Sequence, residues 1–359
     1  MQQTIGTRGQ SFSLGTGLAL LSAALFGAST PLAKVLLGSI EPWLLAAVLY
    51  LGSGIGLFMV RLALARRSRE AREVAVAGTG WLWLGGAILF GGVIAPVLLM
   101  VGLAHTPAAS ASLLLNLEGV LTAVLAWFAF RENFDRRIAL GMLAIIAGAG
   151  LLSWQGGLSL NGIAGPIAIA GACLGWALDN NLTRKVSLSD PVQIAMMKGL
   201  VAGSINLLLA LWQGVYVPDY ATLAVAGLVG SVGYGLSLVL FILALRYLGT
   251  ARTGAYYSTA PFVGAAMAVL LFGEPFTVIL AIAAVLMALG VWLHLTEQHD
   301  HEHEHEEIEH EHRHVHDEHH NHMPLDSADE PHSHWHVHDP VVHQHSHYPD
   351  SHHRHDHAG

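Results

Sequence analysis

The sequence has little cysteine and little charge for its length. Among 359 residues there is one cysteine, Cys173, and only 12% of the residues are charged, whereas 53% are hydrophobic. A single cysteine excludes an intrachain disulfide, and the composition does not fit a disordered chain or a nucleic-acid-binding domain. The sequence contains no Ser-His-Asp, Cys-His or nucleotide-binding signature, so an enzyme is not expected.

The charge that is present is unevenly distributed. Residues 1–297 carry 15 Lys and Arg against 11 Asp and Glu, a net charge of +4, whereas residues 298–359 carry 2 against 15, a net charge of −13. The second segment also holds all but two of the 24 histidines. The chain is therefore an apolar body followed by an acidic, histidine-rich tail.

The apolar body consists of ten long hydrophobic stretches. A helix of roughly 18–25 apolar residues crosses about 30 Å of hydrocarbon, and helix is expected because an isolated strand leaves backbone groups unpaired in lipid. The first stretch continues past a possible signal-peptide cleavage site and follows only one basic residue, Arg8, so it is predicted to be a true span. The predicted limits are 14–37, 42–63, 80–102, 106–129, 137–154, 162–184, 192–213, 222–246, 251–273 and 276–295.

Part of this body occurs twice. Gly102–Leu151 aligns without a gap with Ala244–Leu293 when the sequence is shifted by 142 residues. Each copy is an apolar run, a polar interruption at Glu132 or Glu274, and a second apolar run. We therefore predict an all-α membrane protein of ten helices in two five-helix repeats, the second inverted because five is odd. The domains are a cytoplasmic N-terminus (1–12), the repeats (13–155 and 162–296) and a disordered tail (297–359).

The basic residues predict the orientation of the spans. Thirteen of them fall on one side of the membrane if the N-terminus is cytoplasmic, whereas the opposite loops contain Glu41, Asp219 and Glu274. Basic loops remain on the cytoplasmic side, so both termini are expected in the cytoplasm. The thirteen are Arg8, Arg61, Arg66, Arg67, Arg69, Arg72, Arg131, Arg136, Arg137, Arg184, Lys185, Arg246 and Arg252.

The chain resembles a known transporter family. The segment Phe26-Gly-Ala-Ser-Thr-Pro-Leu-Ala-Lys34, the Phe-x-Glu endings at Glu132 and Glu274, and the two five-helix halves are similar to the EamA family of the drug/metabolite transporter superfamily. The resemblance covers about residues 13–296. It implies a ten-helix carrier of the bacterial inner membrane, usually an exporter of small metabolites, that works by alternating access. We expect that no cofactor is required.

The most informative polar residue is Glu118. It lies about twelve residues into the fourth predicted span, where a carboxylate costs on the order of 3 kcal/mol on insertion scales. A hydrogen bond between helices would explain it, and so would a substrate amine, a cation or a coupling proton. We predict that Glu118 is essential for transport.

Other polar and aromatic residues are candidates for the same pathway. Asp179 at the end of the sixth span and Lys198 in the seventh lie at similar depths, so we predict that they pair, with a structural role or a substrate role left open. Asn206 is expected to join two helices by a hydrogen bond. The complete set of predicted pathway residues is Asn116, Glu118, Trp176, Asp179, Asn180, Lys198, Tyr234 and Tyr256.

The tail has the composition of a metal-binding segment. Histidines alternate with acidic residues from His299 onward, and imidazole is a ligand for Zn²⁺, Ni²⁺, Co²⁺ and Cu²⁺. A tail with few aliphatic residues is expected to be disordered and to bind metal at several overlapping sites. A pH-sensitive polyelectrolyte is the alternative. The predicted ligands are His299, His301, His303, His305, His310, His312, His314, His316, His319 and His320.

Three functions are consistent with these features. The chain is a metabolite or drug exporter with an accessory metal-binding tail, a divalent-metal efflux carrier loaded by the tail, or a membrane-anchored metal store or sensor. The expected partners are the lipid bilayer, a small-molecule substrate and divalent metal ions.

Overall fold

The chain forms a bundle of helices. The computed structural model describes residues 3–65, 75–130, 136–154, 160–186, 189–295, 299–304, 308–314, 332–338 and 342–347. The α-helices in these ranges are α1 (Gln3–Leu36), α2 (Pro42–Ala65), α3 (Gly80–Ala87), α4 (Ala95–Ala104), α5 (Ala108–Leu114), α6 (Leu117–Phe130), α7 (Arg136–Trp154), α8 (Leu160–Thr183), α9 (Pro191–Trp212), α10 (Tyr220–Val229), α11 (Ser237–Tyr257), α12 (Ala260–Phe272) and α13 (Val278–Leu295).

Much of the bundle has the length and surface of a membrane domain. Eight helical runs within the described ranges are long and apolar enough to cross a bilayer, and two further apolar helices, Ala260–Phe272 and Val278–Leu293, are shorter. Large apolar side chains face outward, among them Leu82 at 78% exposure and Leu228 at 64%. Because water does not favour so much exposed apolar surface, these faces indicate contact with lipid.

The fourth and ninth predicted spans are not single helices. The fourth divides at Leu115–Asn116 into α5 and α6, and the ninth divides at Ser258–Thr259, so that its first part continues α11 and its remainder is α12. Apolar patterning does not detect such breaks because the chain is apolar on both sides of them. Pro261 lies in the first turn of α12, where the missing N–H of proline is tolerated.

Two π-helical segments have the same length and a notable spacing. Ile88–Ile94 lies between α3 and α4, and Gly230–Leu236 lies between α10 and α11. Each has seven residues, and they are 142 residues apart, which is the shift that aligns the sequence with itself. Pro96, in the first turn of α4, has no N–H to donate to the carbonyl of Gly92, four residues earlier, and this favours the wider helix in the first segment.

The contacts between helices follow the same repeat of the two halves of the chain. Helix α2 packs along α9, and α7 packs against α13. Helix α1 packs on α11 and α12, whereas α8 packs on α4 and α6. Exchanging the halves of the chain replaces α1 by α8, α11 by α4 and α12 by α6. The contacts of α1 with α11 and α12 then become the contacts of α8 with α4 and α6, whereas the pairs α2–α9 and α7–α13 are each exchanged within themselves.

Glycine permits the close approach of α2 to its neighbours. A Cβ added at Gly52 would clash with the carbonyl of Gly227, and one at Gly54 would lie 2.5 Å from the backbone nitrogen of Leu200. At these glycines the backbones of neighbouring helices meet because no side chain separates them.

The described parts of the tail contain paired strands. Strand β1 (His299–Glu304) pairs antiparallel with β4 (Val342–His347), and β2 (Ile308–His314) pairs with β3 (His332–His338). The alternating sequence suits extended backbone, which has a period of two. The predicted ligands His305, His316, His319 and His320 lie outside the described residues.

Candidate functional site

We name the two ends of the bundle after residues that lie there. The Glu274 end also holds Lys34 and His105, which line one pocket with Glu274. The Asp190 end holds Arg61, whose guanidinium lies 3.3 Å from the Asp190 carboxylate. The candidate site lies between the two ends, where α6 meets α8.

Glu118 and Asn180 form the centre of this site. The Asn180 amide nitrogen donates to the Glu118 carboxylate over 2.8 Å. Glu118 lies in the first turn of α6, directly after the helix break, where the partial positive charge of a helix N-terminus favours a carboxylate. Glu118 is half-buried and Asn180 is exposed, so this polar pair is accessible.

An ion pair lies next to it. The Lys198 ammonium is 2.6 Å from both carboxylate oxygens of Asp179, and the Thr183 hydroxyl donates to the same carboxylate over 2.8 Å. The side chains of Asp179 and Lys198 are only 7% and 12% exposed. The structure therefore confirms the predicted pairing, and Thr183 is a third member that the sequence did not indicate.

Side chains from three helices bind carbonyl groups of the first π segment. The carbonyl of Gly91 accepts hydrogen bonds from the Tyr50 hydroxyl (2.7 Å) and the Trp176 indole nitrogen (3.0 Å). The carbonyl of Gly92 accepts one from the Asn206 amide (3.1 Å), which confirms Asn206 as a link between helices. These donors fix α2, α8 and α9 around the π segment.

An aromatic cluster borders the polar residues. The ring of Phe26 has its centroid 6.4 Å from Trp176, 5.8 Å from Tyr234 and 5.6 Å from Tyr257. Tyr234 also lies 5.6 Å from Tyr50. Phe26 was absent from the predicted pathway residues, although it opens the segment on which the family resemblance rests.

Two predicted pathway residues lie elsewhere. The Asn116 amide donates to the Leu113 carbonyl over 2.9 Å and approaches the Met287 sulfur, so it faces α13. Tyr256 packs near Ala19 and Ala244, whereas the neighbouring Tyr257 joins the aromatic cluster. The apolar pattern does not determine which of two adjacent tyrosines points inward.

The turn between α4 and α5 is held by two charged side chains at the Glu274 end. The Lys34 ammonium donates to the carbonyls of Leu103 (2.5 Å) and Ala104 (3.1 Å) at the end of α4. The Glu274 carboxylate accepts hydrogen bonds from the backbone N–H groups of Ala108 (2.7 Å) and Ala109 (2.8 Å) at the start of α5. The corresponding residue of the first copy, Glu132, lies outside the described residues.

The described side chains do not form a metal site in the bundle. Among them, no group of three or more His, Cys, Asp and Glu residues is placed to hold a metal ion. Cys173 is buried, with its sulfur near the carbonyl of Leu114.

Comparison with known proteins assigns both halves of the bundle to one kind of protein. The model of the EamA-like transporter family matches residues 13–154 and 163–296. An uncharacterized transporter of Methanothermobacter thermautotrophicus is 31% identical over 291 residues, which cover 77% of this chain and 84% of that protein. The uncharacterized transporter YyaM of Bacillus subtilis is 25% identical over 285 residues, 76% of this chain and 90% of that protein.

A solved structure has a similar fold. Its superposition gives a TM-score of 0.58 with 19% sequence identity, and it covers 79% of this chain and 95% of the solved chain. At this identity the likeness concerns the fold alone.

Proposed function

The chain belongs to the EamA-like transporter family and is a multi-pass membrane protein, and we propose that it is a secondary transporter that exports a small metabolite or drug across a bacterial-type inner membrane. The observation that carries this proposal is the accessible Glu118–Asn180 pair, which lies in a bundle of otherwise apolar helices. A carboxylate at this depth is costly unless it meets water, a partner or a substrate. The carboxylate and amide together suit a substrate that offers an amine or several hydrogen-bond donors.

Alternating access is proposed from the internal symmetry. The π segments 142 residues apart and the helix contacts that are exchanged between the halves both support two inverted five-helix repeats. In such folds one conformation opens the site to one side, and the same contacts exchanged between repeats open it to the other. The eight described helical runs that are long enough to span a bilayer, together with the two shorter apolar helices, support the ten crossings that we propose.

The orientation follows from the basic loops. Arg61 lies at the Asp190 end, and Arg66, Arg67, Arg69 and Arg72 follow it closely in the sequence, so we propose that this end is cytoplasmic. The Glu274 end then faces the outside of the cell, and both termini are cytoplasmic.

The tail is proposed to bind divalent transition metals on the cytoplasmic side. The strand pairing places histidine opposite histidine, as in His301 with His345 and His312 with His334, and residues opposite each other in a ladder are close neighbours. Metal efflux or metal storage is the alternative function. The exporter is preferred because the described side chains of the bundle contain no metal-holding group.

A substrate screen tests the proposal. Cells that lack the gene are complemented with the full chain or with residues 1–297, and intracellular metabolites and metals are measured with and without added Zn²⁺ or Ni²⁺. An exporter lowers the content of an organic solute with either form. Loss of metal tolerance on removing the tail, with no organic solute affected, would replace this proposal by the metal carrier. Metal binding without a change in any solute would indicate the store or sensor.

A further inference from the structure

We propose that Glu274 holds the bundle closed at the Glu274 end by capping α5 across the two halves of the chain. Helix caps normally come from residues adjacent to the helix they cap. Here the carboxylate belongs to the connection between α12 and α13, and the N–H groups of Ala108 and Ala109 that it accepts from lie 166 and 165 residues earlier. We call this contact the Glu274 cap; its role in opening and closing rests on the proposed transport function.

Helix α5 is the part of the bundle whose position the cap controls. Residues 108–114 are all buried, and the helix packs against α12 and α1. A Cβ added at Gly264 of α12 would lie 2.7 Å from the Ser112 hydroxyl oxygen, so the two helices are in close contact one turn beyond the cap. Beyond the break at Leu115–Asn116 the chain continues as α6, which carries Glu118 and packs on α8.

The break allows the two helices to move separately. At the Glu274 end α5 is buried and capped, whereas next to the break Glu118 is half-buried and its partner Asn180 is exposed. The polar pair is therefore accessible in a structure in which α5 is buried and capped. Opening toward the Glu274 end requires α5 to leave α12, and this in turn requires the amide groups of Ala108 and Ala109 to leave the carboxylate.

Lys34 secures the other side of the same turn. Its ammonium binds the last carbonyls of α4, where a cation is favoured, just as the carboxylate is favoured at the first amides of α5. The side chain of Lys34 also experiences the charge of Glu274. Loss of either Lys34 or Glu274 is thus expected to loosen the turn between α4 and α5.

Thiol labelling tests the cap without knowledge of the substrate. The only cysteine is first removed by Cys173→Ser, and Ser112→Cys then places a reporter thiol at a position that is 1% exposed. Membrane-impermeant maleimide is applied to intact cells from outside. Glu274→Ala is expected to raise the labelling rate at least about tenfold because two charge-assisted hydrogen bonds are lost. Glu274→Gln, which keeps one acceptor oxygen, is expected to give a smaller increase.

Asp219→Ala is the matched control. Asp219 also accepts from two backbone N–H groups, those of Ala221 and Thr222, but it caps its own helix at the same end of the bundle. Its removal is expected to leave the labelling rate unchanged, and Lys34→Met is expected to raise it.

Two results would overturn the proposal. One is an unchanged rate in both Glu274 variants; the other is an equal increase in Asp219→Ala, which would indicate general loosening. Labelling reports only the conformation of the bundle, so its result is independent of the substrate screen. The proposal for the Glu274 cap can be wrong although transport is found, and it can be right although no substrate is found.

Discussion

The Lys198 ammonium of α9 lies 2.6 Å from each carboxylate oxygen of Asp179 in α8, and both side chains are almost fully buried. Removing one partner of such a pair leaves the other as an uncompensated charge. Replacing both partners by apolar residues removes that penalty. The pair thus makes the stability of the bundle sensitive to single substitutions and tolerant of a double one.

We expect Asp179→Leu to lower the free energy of unfolding by about 3–5 kcal/mol, because the Lys198 ammonium is then buried without a partner. The double variant Asp179→Leu with Lys198→Met is expected to regain most of this loss. Denaturant or thermal unfolding in detergent micelles measures both. Arg61→Met is the control, since it breaks a more exposed pair with Asp190 and is expected to cost below about 1 kcal/mol. A double variant as unstable as the single one would contradict the account.

The hydrogen bonds to the first π segment predict that two substitutions destabilise the bundle to different extents. Asn206→Leu leaves the Gly92 carbonyl without this donor, and Pro96 has no N–H to replace it, so a loss of about 1–3 kcal/mol is expected. Tyr50→Phe is expected to cost only about 0.5–1.5 kcal/mol, because Trp176 still donates to the Gly91 carbonyl. Thermal unfolding of the two variants under identical conditions checks the order, and the reverse order would be incompatible with these contacts.

Two glycine-to-alanine changes separate packing from helix propensity. Gly52→Ala is expected to destabilise the bundle by about 1–3 kcal/mol, because the new methyl group meets the backbone carbonyl of Gly227, which cannot move aside easily. At Gly150 an added Cβ has no atom within 4 Å. Gly150→Ala is therefore expected to be neutral or to stabilise by up to about 1 kcal/mol. Equal effects of the two changes in an unfolding assay would argue against the close approach of α2 to its neighbours.

The cap of α10 predicts a pH dependence. Hydrogen bonds from Thr222, first from its side chain and then from its backbone, hold the pKa of Asp219 below its ordinary value of 3.8. A carboxyl group whose pKa is lowered by folding stabilises the folded state above its unfolded pKa, and this contribution is lost as the pH falls through the folded pKa.

The difference in melting temperature between the wild type and Asp219→Ala is accordingly expected to be constant from pH 7 to about pH 5. It should decrease below about pH 4 as the carboxyl group is protonated. Melting curves at several pH values measure the difference. A difference that increases on acidification would show that the carboxylate does not stabilise the helix.

The sequence predicted those contacts for which the apolar body offers few alternative polar partners. Charged residues are rare in the apolar body, so Asp179 and Lys198, at similar depths on successive spans, had hardly any other partner. Asn206 was likewise correctly assigned to a helix contact, because a polar amide inside a bundle needs a hydrogen-bond partner.

Helix breaks, side-chain orientations and contacts between distant segments could not be predicted from the sequence, because they depend on three-dimensional packing. The breaks in α5–α6 and α11–α12 occur within apolar sequence, and the inward position of Tyr257 in place of Tyr256 is a matter of helix rotation. The sequence marked Glu274 by its repetition, but only the folded chain brings its carboxylate to the amides of Ala108 and Ala109.

The measurement that tests the central claim most directly is export by a Glu118→Gln variant. Glutamine keeps the size of the side chain and can still accept a hydrogen bond from Asn180, but it has no charge and cannot carry a proton. With a substrate identified by the screen, we expect export to fall to the level of cells without the transporter, while Glu41→Gln, a change in an exposed carboxylate, exports at the wild-type rate. Wild-type export by a well-folded Glu118→Gln variant would contradict the account.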